Sequence, residues 1–476
     1  MIKRREFIKA GAMAGLGLAA TGNSFAAMGS PKFPVVRTPL AKRNFNSKAV
    51  EATILRMKGK IKDPELAWMF ENCFPNTIDT TVQHTEQNGK PDTFVITGDI
   101  DAMWLRDSTA QVWPYLPLLK QDAPLKRMVA GLINRQTKCI NIDPYANAFY
   151  DRPKESEWSK DVTKMQPMLH ERKWEIDSLA YAVRLAYHYW KITGDTTPFD
   201  AEWEKAVGLI LKTCKEQQRK DDRGPYKFGR VTAWSTDTVP GNGYGNPIKP
   251  NGLIASIFRP SDDATIYPFL IPSNLFAVIS FRQLAEMLTA MGRNSTLATE
   301  LLALASEVEK AVQEHGVYKH PEFGDIYAFE VDGFGNYLLM DDAGIPGLIS
   351  MPYLDSVSLD DPIYINTRKF ALSDSNPYYF KGKAAEGLGS PHTLIDQIWP
   401  MGIIARAITS VDEKEIIEQI RLLKNTHNNT GFMHESFDKD DPANFTRKWF
   451  AWVNTLFGEL MLKLEEERPS LLQKIY

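Results

Sequence analysis

The sequence predicts an all-α chain whose paired helices close into an (α/α)6 toroid, with long loops and short β-hairpins walling a pocket at one end. Three observations lead there. Helical stretches come in pairs, one member apolar on a single face and the other apolar nearly all round. Short joints containing Gly, Asp or Pro connect the members, as at Thr193-Gly194-Asp195. Long polar and aromatic connections separate the pairs, and long structured loops in a compact domain are usually functional. No repeat of fixed period occurs, which argues against an open solenoid.

Residues 1–30 read as a twin-arginine export signal. Lys3-Arg4-Arg5-Glu6-Phe7-Ile8-Lys9 precedes a mild apolar run at 10–20, and small residues around Ser24-Phe25-Ala26 suit cleavage. The run is too short and too weakly apolar to span a bilayer, so no membrane insertion is expected. The route implies a bacterial protein folded before export and delivered to the periplasm. Residues 31–476 then form one domain.

Candidate helices are 48–60, 63–74, 106–119, 123–140, 175–193, 199–219, 273–292, 296–314, 392–410, 412–425 and 446–465. Two show the period plainly. Ile176, Leu179, Ala180, Val183, Ala186, Tyr187 and Trp190 share one face, as do Leu301, Leu304, Ala305, Val308, Ala311 and Val312. The stretches 275–288 and 449–464 are apolar on every side, so they are expected to be buried on every side. Loops fall at 75–105, 141–174, 220–272, 316–391 and 426–445, with short strands or hairpins at 94–100 and 324–339.

Composition excludes some functions. A net charge of −3 leaves no basic footprint for nucleic acid. Cys73, Cys139 and Cys214 are odd in number and widely spaced, so they read as buried thiols rather than a disulfide framework or a zinc pattern. Eleven Trp suit either a large core or a cleft on which sugar rings stack. The fragments Asp99-x-Asp101 and Asp438-x-Asp440-Asp441 lack the Gly and distal Glu of a calcium loop. With no Gly-rich phosphate loop on a βαβ unit either, neither metal nor cofactor is expected.

The chemistry-bearing loops are few. Asp99, Asp101, Trp104, Arg106 and Asp107 lie within nine residues. Helix caps would explain one Asp there, whereas a pocket gripping hydroxyls uses all five groups. Residues 170–177 (HERKWEID) stock a helix start with acids or form a sugar-contacting rim. Trp234-Ser235-Thr236-Asp237 reads as an irregular loop with an aromatic anchor. Arg259-Pro260-Ser261-Asp262-Asp263-Ala264, followed by Tyr267, places two adjacent carboxyls before a buried helix. They are caps, or they include a carboxyl whose pKa a like charge raises. In Gly431-Phe432-Met433-His434-Glu435 a Glu is hemmed by apolar residues, and burying a carboxylate without partners is costly.

Taken together, TGDIDAMWLRDSTAQVWPYL (97–116), RPSDDA (259–264), EGLGSPH (386–392), QIWPMG (397–402) and GFMHE (431–435), in this order, resemble glycoside hydrolase family 125 over about residues 40–470. The resemblance implies an (α/α)6 toroid and a metal-independent, inverting, exo-acting α-1,6-mannosidase. Its general acid falls on Asp262 or Asp263 and its general base on Glu435. Inverting hydrolysis needs such a pair, one carboxyl protonating the leaving oxygen and the other activating water. Trp104, Arg106, Asp107 and His434 would hold a terminal mannose, with Asp99, Asp101, Asp177, Tyr267 and His392 nearby. Trp174 and Trp399 are candidate stacking walls, while Trp449 and Trp452 suit the core. The partner is then a mannose-containing oligosaccharide. A non-catalytic sugar binder and a toroid glycosidase of α-glucoside type are the alternatives. Turnover and the accepted sugar separate them.

Overall fold

The computed structural model describes residues 33–476; the expected export signal at 1–30 lies outside them. These residues form thirteen α-helices and fourteen short strands. The helices are α1 (Lys48–Lys60), α2 (Pro64–Cys73), α3 (Asn76–Thr80), α4 (Leu105–Val112), α5 (Ala123–Ile142), α6 (Ile176–Thr193), α7 (Ala201–Gln217), α8 (Ile271–Ala290), α9 (Ser295–His315), α10 (Pro362–Ala371), α11 (Pro400–Ile408), α12 (Glu413–Thr426) and α13 (Ala451–Glu467).

Apart from the one-turn α3, the helices divide by how they begin. Seven open on a side-chain cap that accepts a backbone N–H of the first turn: Ser47, Asp63, Asp122, Asp200, Asn294, Asp361 and Asp412 for α1, α2, α5, α7, α9, α10 and α12. The other five, α4, α6, α8, α11 and α13, follow Trp104, Glu175, Leu270, Trp399 and Phe450, none of which caps. Burial follows the same division. Every residue of α4 is buried, and α8 is buried nearly all round, whereas α9 buries only the stripe through Leu301, Leu304, Ala305, Val308, Ala311 and Val312. A helix hydrophobic on every side needs neighbours on every side. The uncapped helices find them in one another: α13 packs on α4, α4 on α6, α6 on α8, and α11 on α13. The capped helices lie against their outer faces, α9 on α8 and α12 on α11.

Short strands lead into the inner layer. β3 (Met103–Trp104) pairs antiparallel with β4 (Ala148–Phe149), and β4 with β5 (Leu169–Glu171), just before α4 and α6. Where the sequence expects a short strand or hairpin at 94–100, a hairpin forms earlier, from β1 (Val82–Gln87) and β2 (Lys90–Val95). Asn88 and Gly89 turn it with φ of 52° and 77°, as a tight hairpin turn requires.

Prolines account for the displaced helix ends. The stretch expected as 106–119 leaves the α-helix at Val112 and continues as a 3-10 helix, Trp113–Leu118, because Pro114 and Pro117 lack the N–H donors an α-helix needs. The stretch expected to start at 392 starts at Pro400, since a residue before proline is pushed to extended backbone; Trp399 has ψ 124°. α10 lies inside a region expected as loop, though Asp361-Pro362 is an ordinary helix start. Cys73, Cys139 and Cys214 are free and buried.

Midway along the inner helices, Arg184 of α6 lies over the rings of Trp113 (3.5 Å) and Tyr353 (4.6 Å), and the Tyr353 hydroxyl donates to Glu459 of α13 at 2.8 Å. Burial pushes the Glu459 carboxyl up to about 7, against the pull of Arg184. A folded pKa above the unfolded one makes stability fall as pH rises through the window between them. The melting temperature of the protein should therefore fall from about pH 5 to 8, and Glu459→Gln should flatten part of that fall. An equally steep fall in the variant would refute the assignment.

Candidate active site

The inner helices begin at the same end as the polar loops, and Arg106, the second residue of α4, sits where they meet. Its guanidinium is 3% exposed and faces four carboxyls. Nη1 donates to Glu175 at 2.6 Å and to Asp177 at 3.1 Å, Nη2 donates to Asp262 at 3.1 Å, and Nε lies 3.4 Å from Asp107. Glu175 precedes α6 and Asp177 lies in its first turn, so one helix start supplies both. One buried cation cannot balance four ionised carboxylates in a poorly hydrated space, so protons are retained. Burial drives Glu175 well above the usual carboxylate range, and the charges of Asp262 and Asp177 add to it despite Arg106. Burial likewise lifts Asp177 to about 6 and raises Asp107. Asp262 goes the other way. Burial would raise it, yet Arg106, Lys173 and a hydrogen bond from Glu175 hold it well below the carboxylate range.

Adjacent Asp262 and Asp263 face different surroundings. Asp262 adopts φ +67°, a left-handed conformation that Asp tolerates better than most residues. Its backbone oxygen accepts from Lys173 Nζ at 2.9 Å, and its side chain is 24% exposed toward the pocket. Asp263 is 2% exposed; it accepts from the Ser261 hydroxyl at 3.1 Å and lies 3.6 Å from His392 Nδ1. The turn carrying both is pinned by Arg259, whose backbone N–H donates to Asp263 O and whose buried guanidinium binds Glu330 at 2.6 Å.

Glu435 comes from a separate loop. Its segment is held by the pairing of β13 (Gln397–Ile398) with β14 (Phe437–Asp438). Gly431 turns the segment at φ +75°, and a Cβ there would meet Trp68 and Asn72 within 2.8 Å, so only glycine fits. Glu435 accepts from the Thr446 hydroxyl at 2.9 Å and lies 3.4 Å from Arg447 Nη1. Arg447 also lies 3.5 Å from Asp99, and the charges of Asp107 and Asp262 act on it too, which joins the Glu435 side to the Arg106 cluster. His434 stacks flat on Phe445, and its Nδ1 is 2.9 Å from Arg447 O. Burial lowers its pKa to about 4, so at neutral pH the ring is uncharged. Nδ1–H then donates to the carbonyl, and Nε2, which has no partner among the described residues, is left as an acceptor.

The structure redistributes the other expected site residues. Trp104 is buried edge-on to His170, its indole N–H without a partner among the described residues. Trp399 and His392 pack edge to face at 6.0 Å beside Asp263. Tyr267 is half-buried and anchored through its backbone N–H to Glu330. Two expectations are corrected. Trp174 cannot serve as a stacking wall, because it is 1% exposed and its indole donates to Ala255 O at 2.6 Å within the core. Asp177 is fully buried behind Arg106 and is placed to hold that side chain rather than a sugar. Asp101 turns outward to Lys154 at 2.6 Å. Asp438 accepts the backbone N–H of Asp440 and Asp441, a local turn. Among the described residues no group of three His, Cys, Asp or Glu is placed to hold a metal ion. Glu175, Lys173, Thr446 and Arg447 were not picked out from sequence; the first two stand in the HERKWEID stretch, and Arg447 lies four residues before the first residue of the apolar helix α13.

Comparison with known proteins gives a family match over most of the chain. The family described as metal-independent alpha-mannosidase (GH125) matches residues 63–462. Meiotically up-regulated gene 157 protein of Schizosaccharomyces pombe is 42% identical over 470 residues, covering 94% of this chain and 92% of its own. A Streptococcus pneumoniae structure, from work on metal-independent alpha mannosidases and in a non-productive complex with alpha-1,6-mannobiose, is 39% identical. It superimposes with a TM-score of 0.86 over 89% of this chain and 100% of its own. A bacterial glucoamylase in complex with acarbose is 10% identical with a TM-score of 0.53, covering 90% of this chain and 58% of its own, a likeness of fold alone.

Removing one partner of a buried ion pair typically costs about 3–5 kcal/mol. Arg106→Met should therefore lower the melting temperature strongly at neutral pH. The deficit should shrink at pH 5, where the orphaned carboxyls take up protons. A deficit that is small, or the same at both pH values, would show that Arg106 does not hold the cluster together.

Proposed function

The chain belongs to glycoside hydrolase family 125, the metal-independent α-mannosidases, and on that basis we propose that it is an inverting, exo-acting α-1,6-mannosidase of (α/α)6 toroid fold. Asp262 is the general acid and Glu435 the general base. The observation that carries this reading is the contrast between the two neighbouring aspartates: Asp262 is open to the pocket, while Asp263 is sealed against His392 and Ser261. The α-1,6 linkage draws support from the disaccharide bound to the S. pneumoniae relative. The toroid reading is supported by the two helix layers and by the fold shared with the glucoamylase.

In this mechanism Asp262 protonates the departing glycosidic oxygen while Glu435 takes a proton from the water that attacks C1 on the opposite face. Thr446 and Arg447 hold Glu435 oriented. Asp99 is a polar contact for the terminal mannose, and His434, stacked on Phe445, orients the neighbouring Glu435. His392 acts through Asp263, fixing the turn that presents Asp262. Residues 31–476 form the catalytic domain, and the Arg4-Arg5 pattern directs export to the periplasm.

Proton NMR in the first minutes of α-1,6-mannobiose hydrolysis should show β-mannose before mutarotation. α-Mannose appearing first would make Glu435 a nucleophile instead. Glu435→Gln should lose activity on both mannobiose and α-mannosyl fluoride. Asp262→Asn should lose mannobiose turnover by about 10²–10⁴-fold while sparing the fluoride, whose leaving group needs little protonation. Asp263→Asn should lose less, and equally on both; the reverse pattern would move the acid to Asp263.

Replacing Arg4 and Arg5 by Lys should leave precursor in the cytoplasm. Undiminished periplasmic delivery would exclude the twin-arginine route.

A further inference from the structure

We propose that Glu175 is a positioning residue that stores the catalytic proton and passes it to Asp262 when substrate fills the pocket. The inference rests on the reading of Asp262 as the acid and supplies what that reading lacks, a source for its proton.

The geometry is a closed cluster. Glu175 is 1% exposed, and its carboxyl and that of Asp262 sit on the two terminal nitrogens of the one Arg106 guanidinium, at 2.6 and 3.1 Å. Charged and titratable groups face the pair from several elements, with His392, Arg447 and His170 acting on Asp262 from the loops and β5. α4 supplies Arg106 and Asp107, α6 supplies Asp177, and the segment entering α6 supplies Glu171 and Lys173. Neutral neighbours complete the shell: Ser178 Oγ donates to Glu175 at 2.9 Å, and Asn147 Nδ2 lies at 3.5 Å. Arg106 touches both carboxyls, but the Glu175 side chain is fully buried while that of Asp262 is 24% exposed and close to Lys173, so the charge settles on Asp262 and the shared proton on Glu175. A general acid deprotonated in the resting enzyme is idle. A sealed neighbour holding a proton on the same guanidinium corrects this without solvent.

The transfers balance. The Glu175 O–H bond breaks as an Asp262 O–H bond forms. That proton then goes to the glycosidic oxygen, which keeps the electron pair of the breaking C1–O bond. Water forms the new C1–O bond and gives its proton to Glu435. Afterwards Glu435 releases a proton to solvent and Glu175 takes one up, restoring the start.

Glu175→Gln keeps size and a hydrogen-bond donor but cannot give up a proton. Turnover of α-1,6-mannobiose should fall at least about tenfold while α-mannosyl fluoride stays within about threefold. The alkaline limb of the kcat profile should move to lower pH, because Asp262 without a neighbouring carboxyl loses its proton more readily. Parallel losses on both substrates with an unmoved profile would overturn the proposal. Run beside it, Asp262→Asn separates the two readings. If Asp262→Asn shows the leaving-group contrast and Glu175→Gln does not, only the proton store fails. If Asp262→Asn keeps mannobiose turnover, the acid assignment fails and takes the store with it. The unmodified enzyme gives a check independent of folding. Titration with S-linked α-1,6-mannobiose at pH 7, in buffers of different ionisation enthalpy, should show no net proton uptake. Uptake of about one proton would place the source in solvent and overturn the proposal.

Discussion

One buried guanidinium with too many carboxylates around it organises this molecule. Arg106 leaves water at a cost of several kcal/mol, recovered only if its partners are close and well oriented. Those partners come from three places in the chain: the same helix (Asp107), the start of the next inner helix (Glu175 and Asp177) and a loop some 156 residues away (Asp262). The cation thus ties α4, α6 and the 259–263 turn to one point. Its deficit of positive charge leaves a proton inside the cluster, the condition that acid catalysis needs.

The helices are arranged to make that point accessible. Outer helices satisfy their first-turn N–H groups with their own Ser, Asp or Asn, while the inner five do not. Uncapped helix starts carry partial positive charge and free donors. Gathered at one end, they favour the carboxylates found there: Asp107 and Asp177 lie in first turns, and Glu175 directly precedes one. An isolated helix would lose stability without its cap. Here burial on every side replaces what the cap would contribute.

Much of the architecture was legible locally, because periodicity, caps and prolines act within a few residues. The stripe on α9, the Asp-Pro starts and the buried character of α8 follow from their own segments. The displaced starts at 392 and 446 show the limit, since apolar residues before Pro400 and Ala451 look helical while serving as strand and loop. In the site, the residue types were readable and their roles were not. Trp174 and Asp177 stand in a stretch rich in ligand-like side chains, yet one is core and the other props Arg106.

The sequence by itself determined that the chain is helical and paired and, through five ordered motifs, which family it resembles. These depend on neighbours in the chain or on residue identity alone. Only the tertiary structure decided which carboxyl of Asp262-Asp263 meets the pocket, that Glu175 belongs to the site, and that Arg447 joins Glu435 to the far cluster. The physical reason is range. A hydrogen-bond pattern along a helix is set within four residues, whereas burial and the field of a distant charge exist only once the loops have closed around them.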